Sequence, residues 1–181
     1  MNIVVYLGAR PGKNPLYKEK ARELGAWIAG QGHRLVYGGS AIGLMGELAD
    51  AALNAGGEVH GVEPRFFVDA VLQHKGVQEL TVVETMAERK QKMIELGDAF
   101  IAFPGGTGTL EEIAEIISMT CLNLTSCPCI IYNIDGYYDI RAAFLDRMVS
   151  EEFMTRENRE KIKFVRNINE LESVLTSAPL S

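Results

Sequence analysis

The sequence has little of what several specialised classes of protein require. Only three cysteines occur in 181 residues, Cys121, Cys127 and Cys129. Three thiols cannot all pair within one chain, so a disulfide framework is excluded and a reducing compartment is expected. Histidine is equally scarce: His33, His60 and His74 are scattered singly, and Cys127-Pro128-Cys129 has no His or second Cys pair near it in sequence. No metal site is expected, and nothing calls for another cofactor. No apolar run approaches the ~20 residues of a membrane span. The opening MNIVVYLGARPG has neither the basic start nor the apolar length of a signal peptide, so a cytoplasmic protein is expected. There is no block of Lys or Arg, and 18 basic against 24 acidic residues leave a net charge of −6. Nucleic acid and anionic membranes are therefore poor partners, and an anionic ligand would need local positive potential. Repeats, low-complexity stretches and linkers are absent as well.

What is present is a hydrophobic content of 47%, enough for one sizeable core. One α/β domain spanning 1–181 is expected. Short β-branched runs alternate with stretches of helical period, the pattern of a Rossmann-like parallel sheet with helices on both faces. The strands fall at Ile3–Leu7, Arg34–Tyr37, Glu58–Val62, Ala99–Phe103, Cys129–Asn133 and Lys163–Val165. The helices fall at Pro15–Gln31, Gly43–Asn54, Ala87–Leu96, Thr109–Leu122, Ile140–Ser150 and Ile168–Leu175. The segment Pro64–Glu84 reads as an irregular excursion with a short strand around Leu80–Val83.

In such a sheet the ligand sits beyond the carboxyl ends of the strands, and three of the loops there are rich in glycine. Gly8-Ala9-Arg10-Pro11-Gly12 and Gly38-Gly39-Ser40-Ala41-Ile42-Gly43 are ordinary βα turns as readily as ligand loops. Pro104-Gly105-Gly106-Thr107-Gly108-Thr109 is more pointed. Its three glycines let backbone approach a ligand closely at the start of a helix, where free N–H groups and the helix dipole favour an anion. A tight turn without ligand is the alternative. The Lys-Ser/Thr pair of a Walker loop is missing, which disfavours a triphosphate. Thr109 and Glu112 form a Thr-x-x-Glu capping box, so from local sequence Glu112 is either a cap or a carboxylate aimed at substrate. Arg89, Lys90 and Lys92 read locally as a solvated helix face. The apolar surplus Ile113, Ile116, Ile117, Met119 and Leu122 suits a helix buried both in the core and against a partner.

Together these residues resemble the Lonely Guy family of cytokinin-activating phosphoribohydrolases, formerly mislabelled lysine decarboxylases. The hallmark PGGxGTxxE stands complete from Pro104 to Glu112. The likeness extends through Tyr37-Gly38-Gly39, Gly43-Leu44-Met45-Gly46, Glu88-Arg89-Lys90 and Asp135-Gly136-Tyr137-Tyr138. It implies hydrolysis of the N-glycosidic bond of an N6-substituted adenosine 5′-monophosphate to free base and ribose 5-phosphate. It also implies a homodimer, with Arg89 and Glu112 as catalytic residues. Binding of phosphate and substrate would fall to Gly8, Gly39, Met86, Lys90, Gly105, Gly106, Thr107, Gly108, Thr109 and Glu111. The chain departs from the family pattern at Ala9-Arg10, Ser40-Ala41, Ala87, Ala70-Val71 and Ser118-Met119. These positions belong to the ribose and base side, so the base is left open and plain AMP is a candidate. A nucleotide-binding or sensing module without efficient turnover is the alternative function.

Overall fold

The apolar runs near the N-terminus and in mid-chain are buried on both faces, which is what the centre of a parallel sheet demands. A computed structural model describes residues 1–177. In chain order the elements are β1 Asn2–Tyr6, α1 Leu16–Gly30, β2 Arg34–Tyr37, α2 Gly43–Asn54, β3 Glu58–Pro64, α3 Arg65–Asp69, β4 Glu79–Val83 and α4 Met86–Leu96. There follow β5 Ala99–Ala102, α5 Thr107–Cys121, β6 Cys129–Tyr132, a 3-10 turn Ile134–Gly136, α6 Asp139–Ser150, α7 Arg156–Lys161, β7 Ile162–Val165 and α8 Ile168–Ser177. All pairings within the seven-stranded sheet are parallel, and its strand order is β4-β3-β2-β1-β5-β6-β7.

Alternate residues of the inner strands enter separate apolar layers. Ile3, Val5, Leu35 and Ile101 pack with Leu24 and Ile28 of α1, Leu48 of α2 and Leu171 of α8. Val4, Val36, Phe100 and Ile131 pack with Met93 of α4, Ile113 and Ile116 of α5 and Leu145 of α6. The chain builds outward from β1 through β2, β3 and β4, then returns to its other side with β5. Between β1 and β5 the direction of winding reverses, so the loops leaving these two strands diverge and open a crevice.

Three short elements differ from the expected layout. α3, α7 and the 3-10 turn are too brief to show a helical period in sequence, whereas the short strand expected around Leu80–Val83 is present as the edge strand β4, Glu79–Val83. The correction that matters most for the site is at α5. Gly106 takes an extended conformation, φ −94° and ψ −153°, so the helix begins at Thr107, not Thr109. Thr109 is thus inside the first turn, and the Thr109–Glu112 capping box does not form.

Candidate active site

Two hydrogen bonds close the crevice at its base. The Gly8 amide donates to the Pro104 carbonyl at 3.1 Å, and the Leu44 amide donates to the Gly8 carbonyl at 3.2 Å, tying together the loops after β1 and β5 and the start of α2. Above them lies a cavity of about 580 Å³, within the range of small-molecule sites. One wall is the glycine loop. A Cβ at Gly105 would come within 2.2 Å of Thr109 Oγ1, so no other residue fits that turn without displacing the threonine. At Gly106 and Gly108 a Cβ would meet nothing within 4 Å. Both therefore border open space. The amides of Thr107, Gly108 and Thr109 belong to the first turn of α5 and have no intrahelical acceptor, the first such bond beyond them being Leu110 to the Gly106 carbonyl at 3.0 Å. Free donors, space and the positive end of a 15-residue helix are the features that an anion would need.

One helical turn further on, Glu112 enters the same cavity. Its Oε1 accepts a hydrogen bond from Arg89 Nη1 at 2.7 Å, and Arg89 Nε donates to the Val62 carbonyl at 3.0 Å. Arg89 is 8% and Glu112 6% exposed. The solvated face expected for Arg89 is corrected by this placement: Glu112 and Val62 give its guanidinium partners inside the protein, while Glu88 remains outside and Lys90 is half-buried. Burial pushes the Glu112 carboxyl above its ordinary range, with Arg89 opposing the shift. A base drawn nearer to neutral pH is better matched to proton transfer.

Of the residues implied by the sequence, Gly8, Met86, Arg89, Gly105, Gly106, Thr107, Gly108, Thr109 and Glu112 line this cavity. Gly8 does so as a wall, its amide being held by Pro104. Gly39 does not line it: its carbonyl accepts the His74 amide at 2.8 Å and its Cα faces Glu63 and Leu80. Lys90 and Glu111 pair with each other at 2.8 Å outside the cavity, and Lys90 also meets Glu115. Residues not singled out as ligands also line it, among them Arg10, Tyr17, Met45, Phe67 and Tyr137. The Tyr137 hydroxyl donates to the Gly105 carbonyl and the Tyr138 hydroxyl to the Phe103 carbonyl at 2.8 Å, so both tyrosines brace the glycine loop. The Asp135-Gly136-Tyr137-Tyr138 match was the signal for Tyr137. Phe67 lies in the segment that showed no periodicity, and nothing there pointed to it.

A larger apolar groove of about 950 Å³ runs between α5 and α6 and shares Gly105, Gly106, Thr107 and Tyr137 with the first cavity. It holds no acid–base pair. Among the described residues no three His, Cys, Asp or Glu side chains gather where they could hold a metal ion.

A family model described as possible lysine decarboxylase matches residues 45–175. The chain is 42% identical over 169 residues to a cytokinin riboside 5′-monophosphate phosphoribohydrolase of Rhodococcoides fascians, covering 92% of this chain and 85% of that protein. It is 41% identical over 160 residues to the enzyme of that name, LOG, from Oryza sativa subsp. japonica, covering 88% and 66%. With LOG1 of Arabidopsis thaliana the identity is 38% over 169 residues, covering 93% and 79%. Among solved structures, the molybdenum cofactor carrier protein of Chlamydomonas reinhardtii superposes with a TM-score of 0.73 at 19% identity, covering 98% and 96%. The molybdenum cofactor binding protein of Rippkaea orientalis does so with 0.70 at 20%, covering 97% and 94%. At those identities the likeness is one of fold.

Proposed function

We propose a reaction on one premise: the chain belongs to the family of cytokinin riboside 5′-monophosphate phosphoribohydrolases, whose family model carries the description possible lysine decarboxylase. The reaction is hydrolysis of the N-glycosidic bond of adenosine 5′-monophosphate or an N6-substituted form of it, releasing free base and ribose 5-phosphate. The observation that carries it is a buried carboxylate–guanidinium pair, Glu112 with Arg89, on the wall of a cavity whose adjoining wall is an anion cradle.

The 5′-phosphate rests on the amides of Thr107, Gly108 and Thr109, and this anchors the ribose in front of Glu112. Departure of a purine builds positive charge on C1′ and the ring oxygen. A carboxylate in a site shielded from water stabilises that charge and takes the proton of the attacking water. Oxygen from water bonds to C1′, the C1′–N bond breaks, and its electron pair leaves with the base, which gains a proton. Arg89 fixes the direction of the Glu112 carboxylate and compensates its charge. A binding module would gain little from a carboxylate beside a phosphate, and burying a charge pair is costly to stability. That cost favours the enzyme over a sensor. Decarboxylation through pyridoxal phosphate does not fit, because that chemistry needs a lysine amine on the cavity and no lysine lines it; Lys90 is held outside by Glu111 and Glu115.

Incubation with AMP is expected to release adenine and ribose 5-phosphate in stoichiometric amounts, and to do so unchanged in EDTA. Nucleotide binding without release of base would leave a sensor. Activity lost to EDTA and restored by a divalent cation would show a metal in the mechanism.

The working form we propose is a homodimer in the reducing cytosol, a setting that suits the unpaired thiols of Cys121, Cys127 and Cys129. The interface is the apolar face of α5 and α6. Ile140, Phe144 and Phe153 are 85%, 60% and 87% exposed there beside Leu110, more apolar surface than a monomer ordinarily leaves in water. Sedimentation should give about 40 kDa, twice the 19.9 kDa of the chain. Phe144→Glu should return it to the mass of one chain; a native chain that sediments as a monomer at assay concentration would rule the dimer out.

A further inference from the structure

Glu63, near the end of β3, is 1% exposed, and its Oε2 is buried with no hydrogen-bond partner. A carboxyl so placed is rare, because burying it unpaired is destabilising. Its surroundings supply a reason for keeping it. The preceding residue, Val62, gives its carbonyl to Arg89 Nε. The next loop inward is Gly38-Gly39. A Cβ at Gly38 would lie 2.0 Å from Arg89 Nη2, and a Cβ at Gly39 would lie 3.3 Å from Glu63 Oε2. Guanidinium and carboxyl thus press on consecutive residues of one loop. Arg89 has committed Nε to Val62 and Nη1 to Glu112, which leaves Nη2 as its donor on this side.

Building on the phosphoribohydrolase reading, we propose that Glu63 is a positioning residue for Arg89: as a carboxylic acid it leaves the guanidinium wholly to Glu112, and as a carboxylate it draws the guanidinium away and divides it between two partners. The other groups around Glu63 do not compete for this role. From β2 comes the Tyr37 hydroxyl, itself buried without a partner and kept neutral by burial and by Glu63. Across the pairing with β4 stands Val82, with Leu80 beside it. Asp50 of α2 is occupied by His74, and Arg65 of α3 by Glu84. Burial pushes the Glu63 carboxyl up to about 7, with Arg89 opposing. The change of state therefore falls where the protein works.

The direction follows. Below about pH 7 the acid form leaves the Arg89–Glu112 pair undivided. Above it, Arg89 is divided between two carboxylates and no longer fixes the direction of the Glu112 carboxylate, so turnover falls. The test is kcat for AMP between pH 6 and 8.5 in three proteins, wild type, Glu63→Gln and Glu63→Asp, with Glu112→Gln as a control in the same assay. The wild type is expected to lose turnover several-fold across this range with little change in KM. Glu63→Gln should show no such limb, and Glu63→Asp, which restores the charge, should show it with a displaced midpoint. If Glu63→Gln fails to fold, the displaced midpoint of the Asp variant carries the test. A raised carboxyl contributes stability below its unfolded value that is lost as pH rises through about 7. Glu63→Gln should accordingly melt about 5 °C above wild type at pH 8 and no higher at pH 4. Coincident pH profiles for wild type and both variants, with Glu112→Gln inactive, would overturn the role of Glu63 and leave the reaction standing. Full turnover in Glu112→Gln would overturn the catalytic role of Glu112, and the role of Glu63 with it.

Discussion

Replacing Glu112 by Gln is expected to lower kcat for AMP by about 100-fold or more while KM stays within a few-fold of native, the pattern of a group that acts chiefly in the transition state. Gln is nearly the same size, and its amide oxygen can still accept the 2.7 Å hydrogen bond from Arg89 Nη1. The negative charge is what disappears. Since α5 starts at Thr107 with no side-chain cap at Gly106, no capping interaction is lost with it. The substitution does leave Arg89 buried without its counter-charge. Breaking such a pair outright costs about 3–5 kcal/mol, and the retained hydrogen bond should hold the loss below that. Melting curves set the temperature at which turnover is compared. Near-native turnover with a lowered melting temperature would make the pair a structural tie between α4 and α5, and the mechanism would be wrong.

Adenosine should bind at least 100-fold more weakly than AMP. Each charge-assisted hydrogen bond from a cradle amide to phosphate is worth about 1.5–3 kcal/mol, so losing even two removes roughly 3 kcal/mol or more. Arg10, which also lines the cavity, can only add to this difference. Thr107, Gly108 and Thr109 offer backbone N–H groups, and the guanidinium of Arg89 is already engaged by Glu112 and Val62. Calorimetry on both ligands measures the difference directly. Equal affinities would mean that the glycine loop is a turn and not a cradle.

The sheet and the glycine loop at the start of α5 were legible because their signals are local. β2 and α2 coincide with the bounds read from period and glycine stops, and the run from Pro104 to Thr109 carries its own chemistry in three residues without side chains. The start of α5 was not legible, since Thr109 is as good a cap in isolation as any and only the extended backbone at Gly106 decides against it. The burial of Arg89 was hidden for a different reason. Its neighbours Glu88 and Lys90 are charged, and the partners that draw it inward, Glu112 and Val62, lie 23 and 27 residues away. Lys90 and Glu111, both attractive in sequence, satisfy each other once α4 and α5 lie side by side. Glu63 was silent altogether, for a single glutamate in a strand says nothing of which side chain it will face.

The crevice exists because β1 is flanked by β5, with Ile3 opposite Ala99. On a ribosome adding about 5–20 residues per second, the roughly hundred residues between these partners take on the order of 5–20 s to appear. For that interval β1, β2, β3 and β4 can pair among themselves while one side of the apolar strand β1 stays unmatched, an edge open to other nascent chains. Variants that slow translation between α2 and α4 should therefore lower the yield of folded protein without touching its melting temperature once formed.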